Sequence, residues 1–325
     1  MSADLTLQDA IAGMIAQKRA VGYKYLAQET ILRRFLAFSH GRFPELNTIT
    51  RDSVHAWVTE AQRRSVKPST LCGLTASVRD LARWLIRHGV AAYVLPTNIG
   101  PRPSPYVPHI YTDQELTAFF AQTDRCHICP EVPVRHLVMP VFFRTIYACG
   151  LRCSEARLLR ADDVDLAAGV LQIRNAKGGK DRQIPVSESL RVRLTHYYAQ
   201  IEWMGHEWFF PGWGERPLTL TNVYHNFRRF LWQARISHGG RGKGPRVHDL
   251  RHTFAVNNLR RWFAAGKDAG ALLPILQTYM GHDSIDDTAY YLRLTAESHP
   301  DIVGRLDQAL GHIVPLPMGG DRDAN

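Results

Sequence analysis

The spacing of apolar side chains separates a helical first third from a longer region of mixed period. Leu7, Ile11, Met14 and Ile15 recur at helical spacing, and so do Ile31, Leu32, Phe35, Leu36 and Phe38. That period lays one apolar stripe along a helix. A third helix is predicted over 51–64. A fourth opens after Pro68 with Ser69 or Thr70 near its cap, carries Leu71, Leu74, Val78, Leu81, Trp84 and Leu85, and stops at Gly89. Residues 1–94 therefore read as a small four-helix domain.

Residues 95–111, LPTNIGPRPSPYVPHIY, hold five prolines. Each removes an amide donor and biases its predecessor toward extended backbone, so no helix crosses and the segment reads as a linker. Thr112-Asp-Gln-Glu115 is a capping box that opens a second domain, residues 112–300. There the pattern predicts helices near 112–122, 134–148 and 153–160. Val170–Arg174 and Gln183–Val186 read as strands joined by the glycine-bearing turn NAKGGKDR. Helices resume near 187–203, 219–235, 248–264, 270–280 and 284–293. The expected fold is mainly α, with a small β-hairpin or sheet in the second domain only. In the tail, 301–325, Ile302, Leu306, Leu310 and Ile313 keep helical spacing.

Composition narrows the class. Of 325 residues, 45% are hydrophobic and 22% charged, which excludes a mainly disordered or fibrous chain. No apolar run approaches the roughly 20 residues that span a bilayer, so no membrane role is expected. The opening MSADLTLQDA lacks a basic-then-apolar export signal. Five cysteines, an odd number in a long chain, suit a reducing interior. A cytoplasmic protein is expected. Lys and Arg number 40 against 30 Asp and Glu, a formal charge of +10, and both domains carry a basic surplus. Such a surplus shared by two domains favours a polyanion held between them. Arg33, Arg34, Arg63, Arg64 and Lys67, at helix ends and polar faces of the first domain, are candidate phosphate contacts. So are Arg241 and Lys243, in the basic glycine loop before His248.

Five places suit phosphate chemistry. Gly150-Leu-Arg152-Cys-Ser-Glu155 sets an Arg at a helix entrance with Glu155 one turn along. Lys177 sits at the hairpin tip. His248-Asp-Leu-Arg251 places two polar groups on one helical face. Gly281-His282 ends a helix, and Tyr291 follows nine residues later. Singly, each reads as a surface pair, a solvated lysine, a structural histidine or a core tyrosine; together and in this order they form a pattern.

That pattern resembles the tyrosine recombinase family, the lambda-integrase-like strand-transfer enzymes. The stretches CGLRCSEARLL, HDLRHTFA and YMGHDSIDDTAYYL carry the likeness, which spans roughly residues 5–300. The resemblance implies a helical core-DNA-binding domain before a catalytic domain, closing on duplex DNA as a clamp. It implies that Tyr291 attacks the scissile phosphate to give a 3′-phosphotyrosyl bond. Arg152 and Arg251 would grip the non-bridging oxygens, Lys177 would protonate the leaving 5′-oxygen and His248 would assist proton movement at the nucleophile. His282 would add a phosphate hydrogen bond, and Glu155 would orient the site. No metal and no cofactor is implied. A homo-tetramer on DNA, monomeric or dimeric when free, is implied too, with the tail as a subunit-exchange helix. Tyr290 and Lys180 remain alternatives to their neighbours. A type IB topoisomerase-like enzyme and a non-catalytic DNA-binding protein remain alternatives for the whole.

Three other motifs read blandly. Cys126 and Cys129 with Cys149 and Cys153 could hold zinc, but the second pair lies in the Arg152 box. Asp162, Asp163 and Asp165 could suggest an acidic-triad transposase, yet they fit cap and turn positions between helix and strand. Gly239 to Gly244 lacks the spacing and the Ser/Thr of a phosphate-binding loop.

Overall fold

The computed structural model describes residues 5–97, 106–129, 131–132, 134–174, 181–240 and 244–298. They fall into two compact units, Met1–Tyr106 and Val107–Asn325. Lys177, Lys180, Arg241, Lys243 and the tail from 301 lie outside the described residues.

The first unit is four helices: α1 (Leu7–Ala20), α2 (Leu26–Arg42), α3 (Arg51–Arg63) and α4 (Pro68–Arg87). Their apolar stripes meet in one core of Leu7, Ile11, Met14, Leu32, Phe35, Val54, Val78, Leu81 and Leu85. Thr6 caps α1 and Thr50 caps α3, each accepting from a backbone amide of the first turn. The expected Ser69 or Thr70 cap on α4 is not used. Lys67 is the cap residue, without a side-chain bond, and Pro68 takes the first helical position. Proline's fixed φ suits that position, and its missing N–H costs nothing there.

The linker read from the prolines is anchored at both ends. Leu95 is buried in the first core, and Arg79 donates to the Leu95 and Pro96 carbonyls. Tyr111 is buried in the core of the second unit, and its amide donates to Thr253 Oγ1 at 3.1 Å.

In the second unit the capping box at Thr112 and Glu115 starts α5 (Asp113–Asp124), followed by α6 (Arg135–Ala148) and α7 (Cys153–Arg157). The helix expected over 153–160 stops early, at Arg157, and Arg160 bridges with Trp208 instead. A three-stranded antiparallel sheet comes next: β1 (Val164–Asp165), β2 (Val170–Ile173) and β3 (Arg182–Pro185), in that order. Sequence had given only the last two strands. Ile173 pairs with Arg182 and Leu171 with Ile184, so Leu171, Ile173 and Ile184 face the core. Arg182, two residues before Ile184, shares that face. Five α-helices follow among the described residues: α8 (Glu188–Ile201), α9 (Leu220–Gln233), α10 (Val247–Ala264), α11 (Ala269–Met280) and α12 (Ile285–Ser298).

Two packed groups of side chains support the site. One is built on Phe119, Phe142, Phe143, Phe210, Phe227 and Phe230, whose rings meet mostly edge-on, as Phe119 and Phe143 do at 5.6 Å and 77°. The other joins α10, α11 and α12 through Val256, Leu259, Phe263, Leu276, Met280 and Leu292, and it includes Tyr291. Among the described residues no helix is long and apolar enough to cross a membrane.

Candidate active site

Short-range signals place each polar group, and the packing of α6, α7, α10, α11 and α12 brings them together. Arg152 is the cap residue of α7, and its amide donates to Glu155 Oε2 at 2.8 Å. Its guanidinium donates to Glu155 Oε1 at 2.7 Å and to the Gly281 carbonyl at 2.6 Å. Arg251, one turn into α10, is 1% exposed and donates to the Gly150 carbonyl at 2.6 Å and the Met280 carbonyl at 2.7 Å. These carbonyls belong to helix ends, where the backbone lacks internal donors and the helix dipole favours a cation. Each guanidinium carries five N–H groups in a fixed plane, so the bonds to Glu155 and Gly281 in one case and to two carbonyls in the other leave donors for a phosphate.

Glu155 is the counter-charge. Arg182, from β3, donates to both of its oxygens at 3.0 and 2.9 Å, and also to the Tyr279 carbonyl at 2.9 Å. Arg251 Nη1 stands 3.9 Å from Glu155 Oε2. Burial pushes the Glu155 carboxyl up, but the bonds and charge of Arg182, with those of Arg152, outweigh it and hold the group at about 2. One carboxylate thus faces three guanidiniums, and the excess positive charge suits an incoming phosphate.

The histidines and the tyrosine close the site. His248 and His252 lie one turn apart on α10, rings edge-on at 4.7 Å. Tyr291 packs between His252, at 5.5 Å between ring centres, and His282, stacked at 5.7 Å and 20°. The Tyr291 hydroxyl lies 3.2 Å from His252 Nδ1. His282 Nδ1 meets Thr288 Oγ1 at 2.8 Å. Burial, then the positive charge of Arg251, depresses His248 to about 4 and His282 to about 3. Burial, then His248, holds His252 at about 3, so all three are neutral imidazoles near pH 7. Burial raises the Tyr291 phenol above 10.0 against the pull of Arg251 and Arg152. Arg251 itself is lowered to about 10 by burial and by Arg152.

Six residues expected from sequence therefore converge: Arg152, Glu155, His248, Arg251, His282 and Tyr291. Tyr290 instead packs against the Arg293 guanidinium at 5.3 Å. Arg33, Arg34, Arg63, Arg64 and Lys67 are exposed on the first unit, with Arg33 paired to Glu29 and Arg64 to Glu60. Sequence reading gave no role to Arg182 or His252. A signal was present for His252, which lies four residues after His248 on one helical face, whereas Arg182 lies just before the strand read from the sequence, Gln183–Val186.

Asp163 is buried against Arg174, and Asp165 accepts from the Ala168 amide, as expected of turn residues. No group of three or more His, Cys, Asp or Glu able to hold a metal occurs among the described residues.

Residues 112–298 match the phage integrase family, and residues 25–89 match the phage integrase N-terminal SAM-like domain. The integrase/recombinase y4rB of Sinorhizobium fredii is 30% identical over 316 residues, covering 93% of this chain and 98% of the relative. The tyrosine recombinase XerC of Rhodospirillum centenum is 28% identical over 275 residues, covering 81% of this chain and 74% of the relative. Among solved structures, the Tn1549 transposon integrase in complex with transposon right end DNA superposes with a TM-score of 0.64. It is 16% identical, with 92% of this chain and 99% of that one covered. A lambda integrase dimer bound to a COC′ core site gives a TM-score of 0.59 at 17% identity, covering 88% and 95%. These likenesses show a shared fold.

Proposed function

The chain belongs to the phage integrase family, and from that premise we propose that it cuts and rejoins duplex DNA with Tyr291 as the nucleophile. It is a tyrosine recombinase, an enzyme of DNA strand breakage and rejoining. The observation that carries the residue assignment is the convergence on Tyr291 of Arg251, which hydrogen-bonds its side chain, of the Arg152 charge, and of the His282 ring stacked on its own.

In this reading Arg152 and Arg251 hold the non-bridging oxygens of the scissile phosphate. Both guanidiniums stay charged throughout, and both are fixed in place before the substrate arrives. Donors prepaid in this way stabilise the pentacoordinate transition state strongly. The Tyr291 oxygen bonds to phosphorus, the bond to the 5′-oxygen breaks, and the phosphotyrosyl ester keeps the energy of the phosphodiester, so religation needs no ATP. Lys177 supplies the proton to the 5′-oxygen, with Lys180 as its alternative on the same hairpin. His282 adds a hydrogen bond to the phosphate, and Glu155 keeps the arginines in register. The working complex is a homo-tetramer on double-stranded DNA, monomeric or dimeric when free, acting on the nucleoid in the cytoplasm.

The test exposes purified protein, without metal, to nicked duplexes from the flanks of its own gene. Covalent adducts are counted on a denaturing gel for wild type, Tyr291→Phe and Tyr290→Phe. Adduct lost only with Tyr291→Phe is the expected result. Adduct lost with Tyr290→Phe alone would refute the assignment.

A further inference from the structure

The geometry points to His252 as the proton acceptor for Tyr291, a catalytic residue of strand cleavage in direct contact with the reacting oxygen. The inference rests on the strand-cleavage reading above and names a group within it that the sequence pattern passed over.

The helical phase of α10 puts His248, Arg251 and His252 on one face, at i, i+3 and i+4. Arg251 bonds two backbone carbonyls and the Tyr291 side chain, but a guanidinium has no acceptor for a proton, while the His248 ring meets His252 edge-on. The group placed to accept a proton from the nucleophilic hydroxyl is His252, whose Nδ1 lies 3.2 Å from it. That is within the reach required of a general base before substrate binds. His248, given this part by sequence reading, meets the His252 ring edge-on at 4.7 Å.

Chemistry agrees with position. Burial and the neighbouring His248, Arg251 and His282 keep the imidazole neutral, so one ring nitrogen is an acceptor. Accepting at Nδ1 requires the tautomer that carries its proton on Nε2. The phosphate then brings negative charge into this group of cations, and the charge grows as the fifth bond forms. That charge favours a protonated imidazole when the phenol proton must leave. The step balances. The Tyr291 O–H bond breaks as its oxygen bonds to phosphorus, and the proton passes to His252 Nδ1. The bond from phosphorus to the 5′-oxygen breaks, and that oxygen takes a proton from the hairpin lysine. Religation returns both protons.

The test uses the full chain in three forms: wild type, His252→Asn, and His252→Asn carrying 3,5-difluorotyrosine at position 291. Asparagine can place a hydrogen-bonding atom near the site of Nδ1 but cannot take up a proton. His252→Asn should bind the nicked duplexes as wild type does and form adduct more slowly, on the order of 10²–10⁴-fold. The fluorinated phenol is far more acidic and needs less help to ionise, so it should recover at least about a tenth of the lost rate. In the free protein, nitrogen NMR should find the His252 proton on Nε2. A His252→Asn rate within about threefold of wild type would overturn the inference, as would a deficit unmoved by fluorination. So would a proton on Nδ1, which the free protein reports without any DNA. Adduct from wild type and from His252→Asn alike removes this assignment and leaves the strand-cleavage reading standing. Absence of adduct from Tyr291→Phe and wild type alike removes both.

Discussion

Replacing Glu155 with glutamine removes one negative charge from the centre of three guanidiniums while keeping the side chain's shape. The carboxyl sits at about 2, against 4.5 for an ordinary glutamate. At about 1.4 kcal/mol per tenfold change in acidity, the ion cluster contributes about 3 kcal/mol to folding. Loss of one partner from a buried ion pair costs a similar amount, about 3–5 kcal/mol. Because the folded-state value is the lower one, this stability is fully present above pH 4.5 and is lost as pH falls toward 2. Urea unfolding of the full chain at pH 7 should therefore separate Glu155→Gln from wild type by about 3 kcal/mol. At pH 3 the gap should shrink to roughly half or less, since the unfolded wild-type chain is then already protonated. Hydrogen exchange over α7 localises the effect, with the first unit as internal control. A variant within about 0.5 kcal/mol of wild type at pH 7, the scatter expected of an unimportant surface change, would refute the reasoning.

Two further outcomes follow from the same geometry. Gly150 has φ of 57°, and a Cβ there would lie 2.5 Å from Phe254 Cδ1; Gly150→Ala should cost about 2–4 kcal/mol from left-handed strain plus overpacking. A thermal melt with Tm unchanged to within about a degree would contradict it. For the leaving group, Lys177→Met should slow cleavage of a normal phosphodiester but not of one with a bridging sulfur at the 5′ position, because a thiolate leaves without a proton. If the sulfur rescues Lys180→Met and not Lys177→Met, the acid is Lys180.

Legibility in the sequence followed the range of the interaction that placed each residue. The Thr112–Glu115 box and the αL glycine at 281 are made within one turn, and both were readable from a few letters. The convergence of Arg152, Arg251, His282 and Tyr291 was readable only because their order and spacing match a known pattern; no local rule brings Arg152 to the Gly281 carbonyl across 129 residues. Arg182 escaped because its partner Glu155 lies 27 residues upstream, and the strand's inward face becomes plain only once its register against β2 is known. The linker was read from its prolines, whereas its ends are fixed by Leu95 and Tyr111, apolar letters that proline-rich surroundings disguised. β1 spans two residues, too few for any period to show.

Gly281 joins several of these contacts at one atom. It closes α11 with φ of 64°, its carbonyl holds Arg152, and an added Cβ would come 2.9 Å from Arg182 Nη1. That guanidinium cannot swing away while Glu155 and the Tyr279 carbonyl hold it on three bonds. In terms of the substitutions open to descendants of this chain, the position is closed by shape before any demand of catalysis is applied. A saturation library sorted for folded protein alone, blind to strand exchange, should return glycine at 281.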